Sequence, residues 1–108
     1  MGFNVKFPEY VYLDGRIALW SDVLFLLILL ERPGTRLLKL VGHNVVLEHF
    51  FEIQRERGIL RYQYDPGLQP LAGPEVFLTD KGREIVIQTR DERRSRIEGH
   101  LEKNEASG

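Results

Sequence analysis

The chain has 108 residues, 43% of them hydrophobic and 29% charged, with a formal net charge of −1 and no cysteine. This composition suits one soluble domain with a modest core and excludes disulfides, thiolate catalysis and cysteine metal sites. Near-neutrality exerts no global pull toward nucleic acid or an anionic membrane.

FNVKF (residues 3–7) and YVYL (10–13) read as extended segments. Asp14-Gly15 follows, and two readings compete there. A tight hairpin would turn at Asp-Gly and return along RIAL. Alternatively Asp14 caps a helix that runs to about Glu31. The unbroken apolar pattern through Trp20 favours the helix, with Ile17, Trp20, Val23, Leu24, Leu27 and Ile28 on one stripe. VLFLLILL (23–30) is too short for a bilayer, which takes roughly 20 apolar residues. It does not sit behind a basic N-terminal segment as a signal peptide would. A helix apolar nearly all round is buried on all sides. Either the N-terminal strands or a second subunit must cover it.

Arg32-Pro33-Gly34-Thr35 reads as a turn, with Thr35 as cap of a second helix, RLLKLV, that ends at Gly42. Asn44 is a plausible cap for a third helix, VVLEHFFEIQRER, with Val46, Leu47, Phe50, Phe51 and Ile53 on its apolar side. Gly58 followed by Ile59 has the pattern of a left-handed helix end with its hydrophobic contact. ILRYQY alternates as a strand. DPGLQPLAGPE interrupts it with prolines and glycines, and VFL resumes, so the loop between is the tip of a β-ribbon. From Thr79 the chain is helical again, to near Ile97. Thr79 is expected to end the strand and cap the helix. Gly82, a poor helix former in the first turn, suggests that another backbone passes close by.

The order helix, turn, helix, turn, helix, strand, loop, strand, helix is that of a winged helix-turn-helix domain. HFFEIQRERGILRY resembles the end of a recognition helix leading into the first wing strand. VFLTDKGREIV resembles the second wing strand and the helix after it in MarR-like and PadR-like transcriptional regulators. The resemblance spans residues 17–88. It implies an α+β fold of three helices, a two-stranded β-wing and a C-terminal helix, with an extra N-terminal strand possible. Residues 1–98 would form the winged-helix domain and 99–108 a flexible tail. It further implies a cytoplasmic, dimeric regulator that binds double-stranded DNA and needs no cofactor. A second reading makes the fold a protein-interaction module without DNA binding.

For DNA, the resemblance puts His43 and Asn44 at the start of the recognition helix. Asn44 either reads adenine or serves only as a cap. Arg36 and Lys39 on the second helix would hold phosphates. Arg90, Arg93 and Arg94 would touch flanking DNA, or else form ion pairs on a solvated helix face. The wing carries no lysine or arginine, and the third helix carries Glu48, Glu52 and Glu56 against Arg55 and Arg57. That balance weighs against strong phosphate neutralisation. No catalytic constellation, phosphate-binding loop or metal site is evident: His49 and Glu52 share a helix face but no second pair accompanies them.

Overall fold

Asp14 and Gly15 both take positive φ, +52° and +78°, as a two-residue type I′ turn requires. They join β1 (Tyr10–Leu13) to β2 (Arg16–Leu19) in an antiparallel hairpin that pairs Leu13 with Arg16 and Tyr10 with Leu19. Asp14 is therefore not a helix cap. The first helix, α1 (Trp20–Glu31), starts only after β2, and the residue in its cap position, Leu19, makes no side-chain cap hydrogen bond. The Asp-Gly pair matches the twist of a hairpin, and this outweighs the apolar spacing that runs on through Trp20. The computed structural model describes residues 9–64, 67 and 73–107, with side chains followed to residue 99. The strand expected at 3–7 and most of the expected ribbon tip lie outside the described residues.

After α1, Thr35–Arg36 form a two-residue strand, β3, and not the cap expected of Thr35. The Thr35 hydroxyl donates to the Arg32 carbonyl at 2.6 Å. Two short helices follow, α2 (Leu37–Val41) and α3 (Val45–Glu56). Then come β4 (Leu60–Gln63), β5 (Glu75–Leu78) and α4 (Asp80–Ser107). The order in the second sheet is β3-β5-β4, all antiparallel, with Leu60 opposite Leu78, Gln63 opposite Glu75 and Thr35 opposite Val76. Among the described residues the fold is thus α+β, with four helices and two small antiparallel sheets. The backbone of α4 continues to Ser107, past the end expected near Ile97, because Glu, Lys, Leu and Ala sustain a helix there.

The core gathers Leu13 from the hairpin, Leu26 and Leu29 from α1, Leu40 and Val41 from α2, and Leu47 and Phe51 from α3. Ile59, Leu60, Val76 and Val86 complete it. The face α1 buries is Val23, Leu26 and Leu29, while Leu24 and Ile28 stay exposed. The stripe expected from spacing alone is therefore displaced, because a helix apolar all round gives periodicity no means to choose a face. β2, β5 and α4 cover most of the helix within one chain.

The junction of β5 and α4 is closed by backbone proximity. Thr79 ends the strand side, and its hydroxyl accepts the Gly82 N–H at 2.9 Å and donates to the Gly58 carbonyl. The Thr79 N–H donates to the Ile59 carbonyl at 3.0 Å. A Cβ on Gly82 would overlap the Ile59 carbonyl oxygen and stand 2.9 Å from its carbonyl carbon. This is the close backbone passage expected of Gly82. Gly58, at φ +78°, supplies the left-handed step that brings Ile59 beneath α4.

Candidate nucleic-acid interface

α2 and α3 are joined by three residues, Gly42, His43 and Asn44. Gly42 takes φ +57° and its N–H donates to Leu38 at 2.8 Å, and the Asn44 N–H donates to Val41 at 3.0 Å. Asn44 then caps α3: its side-chain oxygen accepts the Leu47 N–H at 3.0 Å. Leu40, Val41, Leu47 and Phe51 anchor the pair of helices to the core. The remaining face of α3 carries Val45, Val46, Glu48, His49, Arg55 and Glu56 to solvent, with Glu52 half-buried.

Val45 and Val46 are 75% and 76% exposed. Val46 was expected on the buried side. It shares the spacing of Phe50 and Ile53, but the buried stripe is Leu47, Phe51 and Gln54, and Val46 faces away from it. The charge along the outward face is mostly negative. Arg55 is committed to Glu52 at 2.9 Å. Arg57 turns inward, donating to the carbonyls of Leu13 and Asp14, both at 3.1 Å, and to Gln54 at 3.2 Å.

The expected DNA-contact residues fall into separate places. Lys39, His43 and Asn44 share the α2–α3 corner, where Lys39 and His43 are exposed. Arg36 reaches across to the ribbon, donating to the Gly73 carbonyl at 2.9 Å with Glu75 3.8 Å away. Arg90, Arg93 and Arg94 line a groove of roughly 410 Å³ between α1 and α4, floored by Trp20, Leu27 and Ile97. Arg90 is paired with Asp91 at 3.2 Å. Arg93 grips Glu9 through two nitrogens, one of them at 2.9 Å, and lies over the Trp20 ring at 4.2 Å. The hydrogen bond from Arg93 holds the Glu9 carboxyl below its usual range, against a smaller opposing effect of burial. Arg94 is exposed. Glu9 was not anticipated as a partner, since 84 residues separate it from Arg93.

A second groove, roughly 440 Å³, opens between α2, α3 and the ribbon beside Leu38, Val41, Glu48, Glu52, Tyr62 and Tyr64. The Tyr62 hydroxyl there is buried without a hydrogen-bond partner, and burial, followed by the nearby Glu52, pushes its pKa up. Among the described residues no three His, Asp or Glu groups gather as a metal site would need, and no helix is long and apolar enough to cross a membrane. No protein-family model, curated protein or solved structure matches this chain.

Proposed function

We propose that the chain is a winged helix-turn-helix protein that binds double-stranded DNA and acts as a dimeric transcriptional regulator. The observation that supports this most is the α2–α3 corner. Two helices are joined by three residues including a positive-φ glycine, and Val45, Val46 and Glu48 in the first turn of the second helix are exposed to solvent. A recognition helix of this kind meets base edges with its N-terminal residues. An antiparallel ribbon follows α3 directly, in the place of a wing. Lys39 and the His43 turn supply the polar surroundings from which such a corner contacts phosphates. The test is binding to random duplex DNA across a salt series. Affinity that falls steeply with salt supports the reading; absent or salt-independent binding removes it.

Dimerisation belongs to the same proposal. Leu24 and Ile28 on α1 and Ile97 in the α1–α4 groove are exposed apolar residues, and a two-fold pairing through these helices would cover them. A clean mass near 12.6 kDa in sedimentation equilibrium at micromolar concentration would refute it.

One observation favours a protein-binding module instead. Glu48, Glu52 and Glu56 lie along α3 with Arg55 already paired. An acidic, partly apolar face suits a basic partner protein, and binding to such a partner that weakens on neutralising these carboxylates, with no binding to duplex DNA, would carry that second reading.

A further inference from the structure

Glu9, the residue before β1, sets both carboxylate oxygens against two nitrogens of the Arg93 guanidinium, one of them at 2.9 Å. Its backbone is held separately, because the Glu9 carbonyl accepts the Trp20 N–H at 2.9 Å. The side chain can therefore leave by rotation alone, with the hairpin still in place. Arg93 stays oriented without it, since the guanidinium lies over the Trp20 ring at 4.2 Å. One carboxylate here faces two guanidinium groups. Arg96 stands 3.8 Å from the same Glu9 oxygen, beyond hydrogen-bond range, so Glu9 fills only part of the site. A cavity of roughly 170 Å³ adjoins it, lined by Val11, Tyr12, Thr89, Arg93 and Arg96. Glu92, on the same wall, accepts from Gln88 at 2.9 Å.

We propose that Glu9 is an autoinhibitory carboxylate: it holds, from within the chain, a phosphate-binding site made by Arg93 and Arg96, and swings out when a phosphate group takes its place. The chemistry fits, because a guanidinium fork binds carboxylate and phosphate in the same two-point manner. A tetrahedral phosphate presents oxygens in more directions than a planar carboxylate, so it can meet Arg93 and Arg96 together. An exposed ion pair is weak enough to yield to a ligand that engages both arginines. While Glu9 stays, the arginines serve stability; once it leaves, they serve binding. The site lies on α4 and does not depend on DNA binding by the α2–α3 corner.

The experiment titrates the full chain with inorganic pyrophosphate and, separately, with random duplex DNA. Emission of Trp20, the chain's one tryptophan, reports what lies on Arg93. Glu9→Gln removes the competing charge and keeps the side chain's shape. It should bind at least one of the two ligands roughly two- to fivefold more tightly than wild type, the worth of an exposed ion pair. Glu31→Gln makes the same charge change at the far end of α1 and should leave affinity as it is. The double variant E9Q/R96Q should lose the gain, with circular dichroism checking the fold of each variant. A gain with pyrophosphate alone assigns the site to a free phosphate ligand. A gain with duplex assigns it to a nucleic-acid backbone, and the salt slope should then steepen by about one for each phosphate gained. An equal gain in Glu31→Gln would reduce the effect to net charge and overturn the proposal. Equal binding by wild type and Glu9→Gln, or binding of neither ligand by Glu9→Gln, would overturn it too.

Discussion

The α4 side of the molecule and the α3 side use their charged groups in opposite ways. Along α4, Arg90 and Arg93 are committed to Asp91 and Glu9, Arg93 also lies over Trp20, and Arg96 sits 3.8 Å from Glu9. Along the outward face of α3, Glu48, His49 and Glu56 are exposed, and two valines stand beside them. A run of arginines in the sequence looks like the binding surface, yet pairing within the chain has used much of it. On the outward face of α3 the exposed groups are mostly acidic and apolar, and they are surface available to a partner. Stability should therefore respond to changes on the first side, and binding to changes on the second.

The largest effect is expected where α4 meets the strands. Gly82→Ala places a methyl group into the Ile59 carbonyl. Backbone cannot yield as a flexible side chain does, so the strand-to-helix junction must shift. A loss of about 3 kcal/mol or more is expected in chemical denaturation. A loss under 0.5 kcal/mol would mean that the junction is looser than its hydrogen bonds indicate.

Arg57→Ala comes next. The Arg57 side chain is 14% exposed and ties the hairpin turn to the end of α3. Its removal also deprives Gln54, itself 3% exposed, of the donor to its side-chain oxygen. A cost of about 1–3 kcal/mol follows from leaving a buried polar group unsatisfied. Equal stability of variant and wild type would place the hairpin's anchorage elsewhere.

Acid titration probes the Glu9–Arg93 pair. The folded pKa of Glu9 is depressed below 4.5, chiefly by the hydrogen bond from Arg93. Its contribution is therefore present above the unfolded pKa and lost as pH falls through the lower folded value. Its side chain is 39% exposed, so solvent screening limits the effect to under about 1 kcal/mol. Asp22 works in the opposite direction, because burial raises its pKa and acid relieves the cost of its charge. Glu9→Gln should flatten the acid-side loss of stability, and Asp22→Asn should steepen it. A Glu9→Gln profile superimposable on wild type below pH 4.5 would show the pair to be energetically silent.

The sequence carried the helix–helix–helix–ribbon–helix order because its punctuation is chemically explicit. Asn44 caps, Gly58 reverses, Thr79 ends a strand and starts a helix, and Gly82 admits a neighbouring backbone. The errors lie where local signals were ambiguous. Asp14 has the chemistry of a cap and of a hairpin turn, and only the pairing of β1 with β2 decides. Thr35–Arg36 is too short a strand to show alternation, and its partner Glu75–Val76 is remote in the chain. The candidate site was legible as a corner but not as a surface. Periodicity did not reveal that Val46 faces solvent while Leu47 faces the core, nor that Arg93 has a partner in Glu9.

The smallest effect on stability, and the sharpest on partner, is expected from neutralising carboxylates on α3. Glu56 sits at the C-terminal end of the helix, where a negative charge opposes the macrodipole, so Glu56→Gln should stabilise by a few tenths of a kcal/mol. Glu48 lies in the first turn, where its charge is favourable, so Glu48→Gln should cost a similar amount. The double variant should therefore be nearly as stable as wild type, and any change in binding belongs to the surface itself. On DNA, removing two negative charges beside the duplex relieves repulsion of the phosphates. Affinity for random sequence should rise, while discrimination between sites should fall as Glu48 no longer rejects bases that offer no donor. A basic protein partner would respond with the opposite sign, since the same change removes its attraction. Titrating the double variant against random duplex at two salt concentrations decides the matter. Tighter binding with poorer discrimination puts α3 against DNA, and unchanged binding puts it elsewhere, leaving the face of Val45, Val46 and Glu48 to a protein.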